Sequence, residues 1–173
     1  MQLKFIGDID DLIRGIQLLG SDFVFELSNE GIPVYVEKRK GNIEVEFTNN
    51  IGYIKYEKKI HFFRALGLFI EALRKSNSFK IYEEPQFTMN GVMFDVSRNA
   101  VMTVKSIKKM ILKMAIMGLD TIMLYTEDLY QIDGQPYFGY MRGRYTKDEL
   151  KECDDFADIF GIEMIPCIQT LAH

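Results

Sequence analysis

The sequence predicts an α/β protein in which a small α+β unit is followed by strands pairing in parallel. Three observations predict it. Residues 1–86 mix short alternating stretches with two helical patterns in no regular order. From residue 87 onward, apolar stretches of strand length alternate with helical patterns of about a dozen residues, as parallel strands joined by crossover helices do. Each of the three later strands also runs into polar side chains at its carboxyl end.

Taken in order, residues 8–19 predict an acid-capped helix with Leu12, Ile13, Ile16 and Leu19 on one face and Gly20 as its stop. Residues 23–27 predict a short strand. Residues 32–38 and 42–47 flank Arg39-Lys40-Gly41, which predicts a hairpin with Gly41 supplying positive φ. Residues 51–56 continue the strand alternation. Residues 61–75 predict the strongest helix of this half, with Phe62, Phe63, Leu66, Phe69, Ile70 and Leu73 as its apolar stripe. Arg74 and Lys75 complement its carboxyl end, and residues 79–83 return to the sheet. His61 at that helix start has no sequence partner and reads as a cap or surface residue. This half reads as an accessory domain.

The stretch 87–98 begins the second half, after the Glu83-Glu84-Pro85 break. It runs apolar through Val92, Met93 and Phe94 and ends in Asp95, Ser97 and Arg98. Thr103 predicts a cap for a helix reaching Met117, with Val104, Ile107, Ile111, Met114 and Met117 at helical spacing and Gly118 as terminator. Residues 121–125 form a second apolar strand leading to Thr126, Glu127 and Asp128. Thr146-Lys147-Asp148-Glu149 has the pattern of a capping box. It opens a helix that turns Leu150, Cys153, Ala157 and Phe160 inward and stops at Gly161. Residues 162–168 predict the third strand, which leads to Gln169, Thr170 and His173.

Parallel strands put their carboxyl ends on one rim, so Arg98, Glu127, Asp128 and His173 converge there. Each also has a simpler reading. Arg98 could pair with Asp95, Glu127 and Asp128 could cap their loop, and His173 is the last residue. The stretch 126–145 is longer than an ordinary strand–helix connection and carries Tyr130, Tyr137, Phe138, Tyr140, Arg142, Arg144 and Tyr145. Tyr and Arg together suit a sugar, through ring stacking and hydrogen bonds to hydroxyls. Tyr140 and Arg142 are the candidate contacts. Alternatively, the rings pack beneath the loop as a satellite cluster.

Composition narrows the classes. The 173 residues are 47% hydrophobic and 27% charged, which is globular rather than disordered. A net charge of −4 without a long Lys/Arg run gives no electrostatic case for nucleic acid. No apolar stretch approaches the ~20 residues of a membrane helix. Cys153 and Cys167 lack metal or disulfide-framework spacing and read as buried free thiols, which with the leaderless start points to the cytoplasm.

Three segments carry a resemblance: Gly91-Val92-Met93-Phe94-Asp95-Val96-Ser97-Arg98, Leu124-Tyr125-Thr126-Glu127-Asp128, and Ile165-Pro166-Cys167-Ile168-Gln169-Thr170-Leu171-Ala172-His173. They resemble the first three barrel strands of glycoside hydrolase family 20, the β-N-acetylhexosaminidases. The loop Pro136-Tyr137-Phe138-Gly139-Tyr140-Met141-Arg142-Gly143-Arg144-Tyr145 resembles an intracellular, streptococcal-type branch. The resemblance covers roughly residues 88–173. The family pattern is departed from in two places: Glu127-Asp128 stands where Asp-Asp is usual, and Leu171-Ala172 where Pro-Gly is usual.

The resemblance implies an accessory domain over 1–86 and, over 87–173, the first three strands and two helices of a TIM (β/α)8 barrel, a fold that needs eight strands. It implies that Arg98 holds hydroxyls of a terminal N-acetylhexosamine. Glu127, Asp128 and His173 would support the catalytic acid. The family reaction is retaining and substrate-assisted, uses no cofactor or metal, and relies on an adjacent Asp-Glu pair after the fourth strand. No catalytic residue is therefore expected within these 173, and the chain by itself is expected to be inactive. Asp148-Glu149 is explained by its helix cap. A non-catalytic sugar-binding or interaction module is the competing reading. A phosphate-binding α/β enzyme is a weaker one, because no Gly-rich loop follows any strand.

Overall fold

The computed structural model describes residues 1–23, 25–98 and 100–169. Two sheets organise it. The first is six-stranded, built from β1 (Gln2–Gly7), β2 (Glu26–Leu27), β3 (Ile32–Lys38), β4 (Ile43–Thr48), β5 (Ile51–Tyr56) and β6 (Phe79–Glu83), in the order β2-β1-β3-β5-β4-β6. Helices α1 (Ile13–Phe23) and α2 (Lys59–Leu73) belong to this half. The second sheet orders β7 (Gly91–Asp95), β8 (Thr121–Thr126) and β9 (Glu163–Ile168) side by side, all parallel. Helices α3 (Val104–Met117) and α4 (Lys147–Asp158) make its two crossovers. This is the α/β architecture expected.

Several local expectations are corrected. β3 and β4 are not hairpin partners. β5 lies between them, parallel to β3 and antiparallel to β4. The tight hairpin is at Asn49-Asn50, whose φ angles of 50° and 62° match a two-residue turn with the twist of its strands. Arg39-Lys40-Gly41 instead carries the chain over β5, held by bonds from Arg39 N to Tyr56 O (2.7 Å) and Gly41 N to Glu57 Oε2 (2.9 Å). Alternation marks a strand but does not name its neighbour.

The first helix starts at Ile13 rather than residue 8, and Gln2–Gly7 ahead of it form an additional strand, β1. The Asp8 carboxylate accepts the Lys38 amide at 2.8 Å, so it ties the end of β1 to β3 instead of capping a helix. Gly20 lies inside α1, close beneath the Phe25 carbonyl, and the strand expected at 23–27 shrinks to Glu26–Leu27. The strand at 87–98 is Gly91–Asp95. Phe87 and Met89 are exposed outside it, and Met93 lies open on one face of the sheet. Cys153 is buried, whereas Cys167 is only half-buried on edge strand β9; both are free thiols.

The other ends fall where their local chemistry puts them. Thr103 caps α3 by accepting from Ser106 N, and Gly118 closes it at φ 76°. Thr146 and Glu149 form the reciprocal capping box of α4, so Asp148-Glu149 is accounted for by that cap. His61 accepts the Lys58 amide at the start of α2 (3.4 Å), and burial pushes its pKa down. That is the cap reading.

Helix α2 joins the two halves into one continuous core. Phe62 meets Phe5 and Tyr56 of the first sheet, and Phe69 meets Phe47 and Phe79. Phe63 turns the other way, to Phe160 beyond α4, with ring centroids 5.0 Å apart. Gly67 lets α3 approach, since a Cβ there would sit 2.8 Å from the Ile116 carbonyl. Arg64 clamps the junction. Its guanidinium donates to both oxygens of Glu83 at the end of β6 (2.9 and 2.8 Å) and to Ile116 O of α3 (3.4 Å).

Phe63→Ala should cost about 3–5 kcal/mol by leaving a cavity between the halves. Denaturant unfolding measures the cost, and amide exchange should quicken in both sheets together; acceleration in one sheet alone would contradict the shared core. The Arg64 hydrogen bonds hold the Glu83 carboxyl below its usual pKa, against the opposing pull of burial. A carboxyl lowered in the folded state contributes stability that is full above its unfolded value of about 4.3 and fades as pH falls through the folded value. The stability gap between wild type and Glu83→Gln should therefore be present at neutral pH and close below about pH 4 in parallel denaturation curves.

Candidate functional site on the strand rim

The parallel register of β7, β8 and β9 pairs Asp95 with Tyr125 and Tyr125 with Cys167, so the three carboxyl ends lie level. Val96 N donates to Tyr125 O (3.2 Å), and Gln169 N to Thr126 O (3.4 Å), which extends the stitching beyond the strands. On the face covered by helices, Ile122, Leu124 and Thr126 are buried. On the other face Met93, Met123 and Tyr125 stay partly open. The rim thus rises from a sheet packed on one side.

At the end of β7 the chain turns through Asp95-Val96-Ser97-Arg98. Asp95 Oδ1 accepts both the amide (2.9 Å) and hydroxyl (2.7 Å) of Ser97, closing a short side-chain turn. Those bonds from Ser97, with Arg98 nearby, hold the Asp95 carboxyl below its usual range. Arg98 Nε lies 3.8 Å from Asp95 Oδ2, and its side chain is about half exposed. The ion pair with Asp95 foreseen as the simple reading is present. At the end of β8, Glu127 and Asp128 meet Arg142, whose Nη2 is 3.6 Å from Glu127 Oε2 and 3.6 Å from Asp128 Oδ1. The same nitrogen donates to the Ser97 carbonyl. Arg98, Glu127, Asp128 and Arg142 therefore belong to one neighbourhood, linked through Asp95 and Ser97. His173 lies outside the described residues.

The long connection from β8 to α4 folds back on itself. Tyr145 N donates to Leu129 O (3.0 Å) and Gln131 N to Tyr145 O (2.9 Å), which closes its two ends. Its returning strand passes so near the rim that a Cβ on Gly139 would fall 2.1 Å from the Asp128 carbonyl. Only glycine fits there. Arg144 donates to the carbonyls of Gln135, Pro136 and Phe138, filling the loop from within. The aromatic residues divide between the two readings. Tyr130 packs edge-on to Phe138 and Tyr145 is buried, whereas Tyr137 and Tyr140 are 85% and 65% exposed on the outer side.

Ser97 and Gln169 were not singled out from sequence as site residues. Gln169 Oε1 accepts the Tyr125 hydroxyl at 2.8 Å and so ties the second strand end to the third. The available signal for Ser97 was its place two residues after Asp95, the spacing of a side-chain turn. Among the described residues no cluster of three or more His, Cys, Asp or Glu could hold a metal ion, and no helix is long and apolar enough to cross a membrane.

Comparison with known proteins bears on the fold. No family model matches the chain. A probable β-hexosaminidase of Drosophila melanogaster is 26% identical over 99% of this chain and 28% of its own length. The glycoside hydrolase family 20 exo-β-N-acetylglucosaminidase of Vibrio harveyi matches with a TM-score of 0.70 at 19% identity, over 95% of this chain and 32% of that one. The β-hexosaminidase of Streptomyces plicatus matches with a TM-score of 0.73 at 17% identity, over 95% and 40%. This chain spans between a quarter and two-fifths of these proteins. Its fold is that of an α+β domain followed by part of a TIM barrel, as in those enzymes.

Tyr145 anchors the loop by donating its buried hydroxyl to Met102 O, and burial lifts its pKa to about 12. Tyr145→Phe should lower stability by about 1 kcal/mol, the usual net worth of such a bond. An unchanged denaturation midpoint would show that the anchor carries no weight.

Proposed function

We propose that these residues are the amino-terminal part of a family 20 exo-β-N-acetylhexosaminidase, which removes terminal non-reducing N-acetylhexosamine from glycans. In this reading residues 1–86 are the accessory domain and 87–173 the first staves of the catalytic barrel. One observation carries it: the level ends of three parallel strands gather an exposed arginine, Arg98, and an acidic pair, Glu127-Asp128, on one rim. The likeness to hexosaminidases in sequence and fold supports it. The loop 136–145 resembles that of an intracellular, streptococcal-type branch, and free thiols are in keeping with a cytoplasmic setting; both belong to this proposal.

Arg98 supplies two or more directed donors to adjacent sugar hydroxyls, which a planar guanidinium does with little rotamer loss. Tyr140 offers an exposed ring and hydroxyl on the flanking loop. Glu127 and Asp128, with His173, hold the proton network behind the catalytic acid. In the reaction the substrate's acetamido oxygen bonds to the anomeric carbon as the glycosidic bond breaks, and the acid protonates the leaving oxygen. Water then opens the cyclic intermediate, so configuration is retained. The adjacent Asp-Glu pair for those steps is not among these 173 residues, because Asp148-Glu149 belongs to the α4 cap.

The chain of 173 residues should therefore give no turnover of a chromogenic N-acetylglucosaminide. Measurable hydrolysis by the pure chain would overturn that assignment. In the active enzyme, Arg98→Ala should lower kcat/KM by an amount equivalent to about 1.5–3 kcal/mol, the worth of hydrogen bonds to a charged group. Unchanged kinetics would remove Arg98 from the sugar site. Saturable sugar binding with no turnover in any longer form of the protein would favour a binding module instead.

A further inference from the structure

The sequence presents Arg142 as a second sugar contact, yet its guanidinium is committed within the protein. Nη2 donates to the Ser97 carbonyl and stands between Glu127 and Asp128 at 3.6 Å from each. Ser97 is buried, and its amide and hydroxyl are both given to Asp95. Its carbonyl, the group that Arg142 takes, sits in the turn that presents Arg98. Asp128 Oδ1 is buried without a hydrogen-bond partner among the described residues, so the facing Arg142 cation is what offsets its desolvation.

The local backbone also turns this side chain, 42% exposed, toward the rim. Met141 and Gly143 on either side have φ of 57° and 70°, and Arg142 N donates to Gly139 O (3.2 Å) in the turn pressed against the Asp128 carbonyl. A left-handed methionine is uncommon and strained. Met141 itself is 88% exposed, so its own side chain gains nothing from that conformation. What the kink achieves is the placement of Arg142.

We infer that Arg142 is a positioning residue: it struts the Arg98 turn against the Glu127-Asp128 pair, and sets sugar affinity without touching the sugar. The inference rests on the proposed sugar role of Arg98. A lysine keeps the charge, but its ammonium sits on a more flexible stem than the planar guanidinium, whose Nη2 alone makes all three contacts here.

Amide exchange and N-acetylglucosamine affinity, measured on the wild-type chain and on Arg142→Ala, Arg142→Lys and Arg98→Ala, separate the cases. Exchange in β3 and β5 serves as the control for global folding. Arg142→Ala should speed exchange at Ser97 and Arg98 and weaken sugar binding about tenfold. Arg142→Lys should fall between it and wild type. Arg98→Ala should weaken binding while leaving exchange at Ser97 as it was. Weaker binding by Arg142→Ala with unchanged exchange at Ser97 would make Arg142 a direct contact and overturn the inference. So would quicker exchange with affinity intact, which would leave only a structural strut. Failure of the wild-type protein to bind the sugar at all would remove the functional reading and this inference with it. Binding that is sensitive to Arg98 but indifferent to Arg142 would remove the inference alone.

Discussion

Helix α2 is buried on two sides, and the rest of the molecule is arranged by that fact. A helix packed on one sheet needs a single apolar stripe, with the opposite face left polar. Here Phe62 and Phe69 enter the six-stranded sheet while Phe63 and Gly67 face α3 and the end of α4. The two sheets therefore share one core instead of hanging on a linker. Arg64 adds a directional clamp, because its bonds to Glu83 and Ile116 O fix the angle at which α3 meets α2. With α3 placed, β7 and β8 are placed, and the rim above them follows.

On that rim a chain of polar contacts runs from Arg98 through Asp95 and Ser97 to Arg142 and on to Glu127 and Asp128. No single contact in it is strong, since most of its charges are partly exposed and screened. Its value is geometric. It couples the turn after one strand to the acids after the next, and the loop that does the coupling is itself pinned by Tyr145 and by the bare backbone of Gly139. In the sugar role proposed for Arg98 this would lower the cost of binding, because the ordering cost of its turn is met before the ligand arrives.

The strand–helix alternation after residue 87 was legible in the sequence because each element carries its own punctuation. Thr103, Gly118 and the Thr146–Glu149 box fix helix ends by local chemistry, and the structure keeps all of them. The first half was harder because one element, β1, carries no punctuation of its own, the first helix begins later than its acids suggest, and strand partners are not written locally. Residues 32–38 and 42–47 are both strands, but the strand that separates them comes later in the chain. Asp8 looked like a cap because an acid before an apolar periodic run usually is one. Its actual partner, the Lys38 amide, is thirty residues away. At the site, Arg98, Glu127 and Asp128 could be found from their places after strands. The roles of Ser97 and Gln169 could not, since each depends on a neighbour from another strand or loop. Nor could the split of the aromatic loop between packed and exposed rings, which is set by how the loop closes.

The most direct test of the central claim is to titrate the isotope-labelled protein with N-acetylglucosamine and map the amide and side-chain shifts by NMR. The account predicts saturable changes confined to the rim: Ser97 and Arg98, Glu127 and Asp128, and Tyr140 on the flanking loop. Stacked tyrosines also stand on the open face of the first sheet, where Tyr35 and Tyr53 lie 5.7 Å apart. Saturable changes centred on that pair, with the rim untouched, would contradict the account.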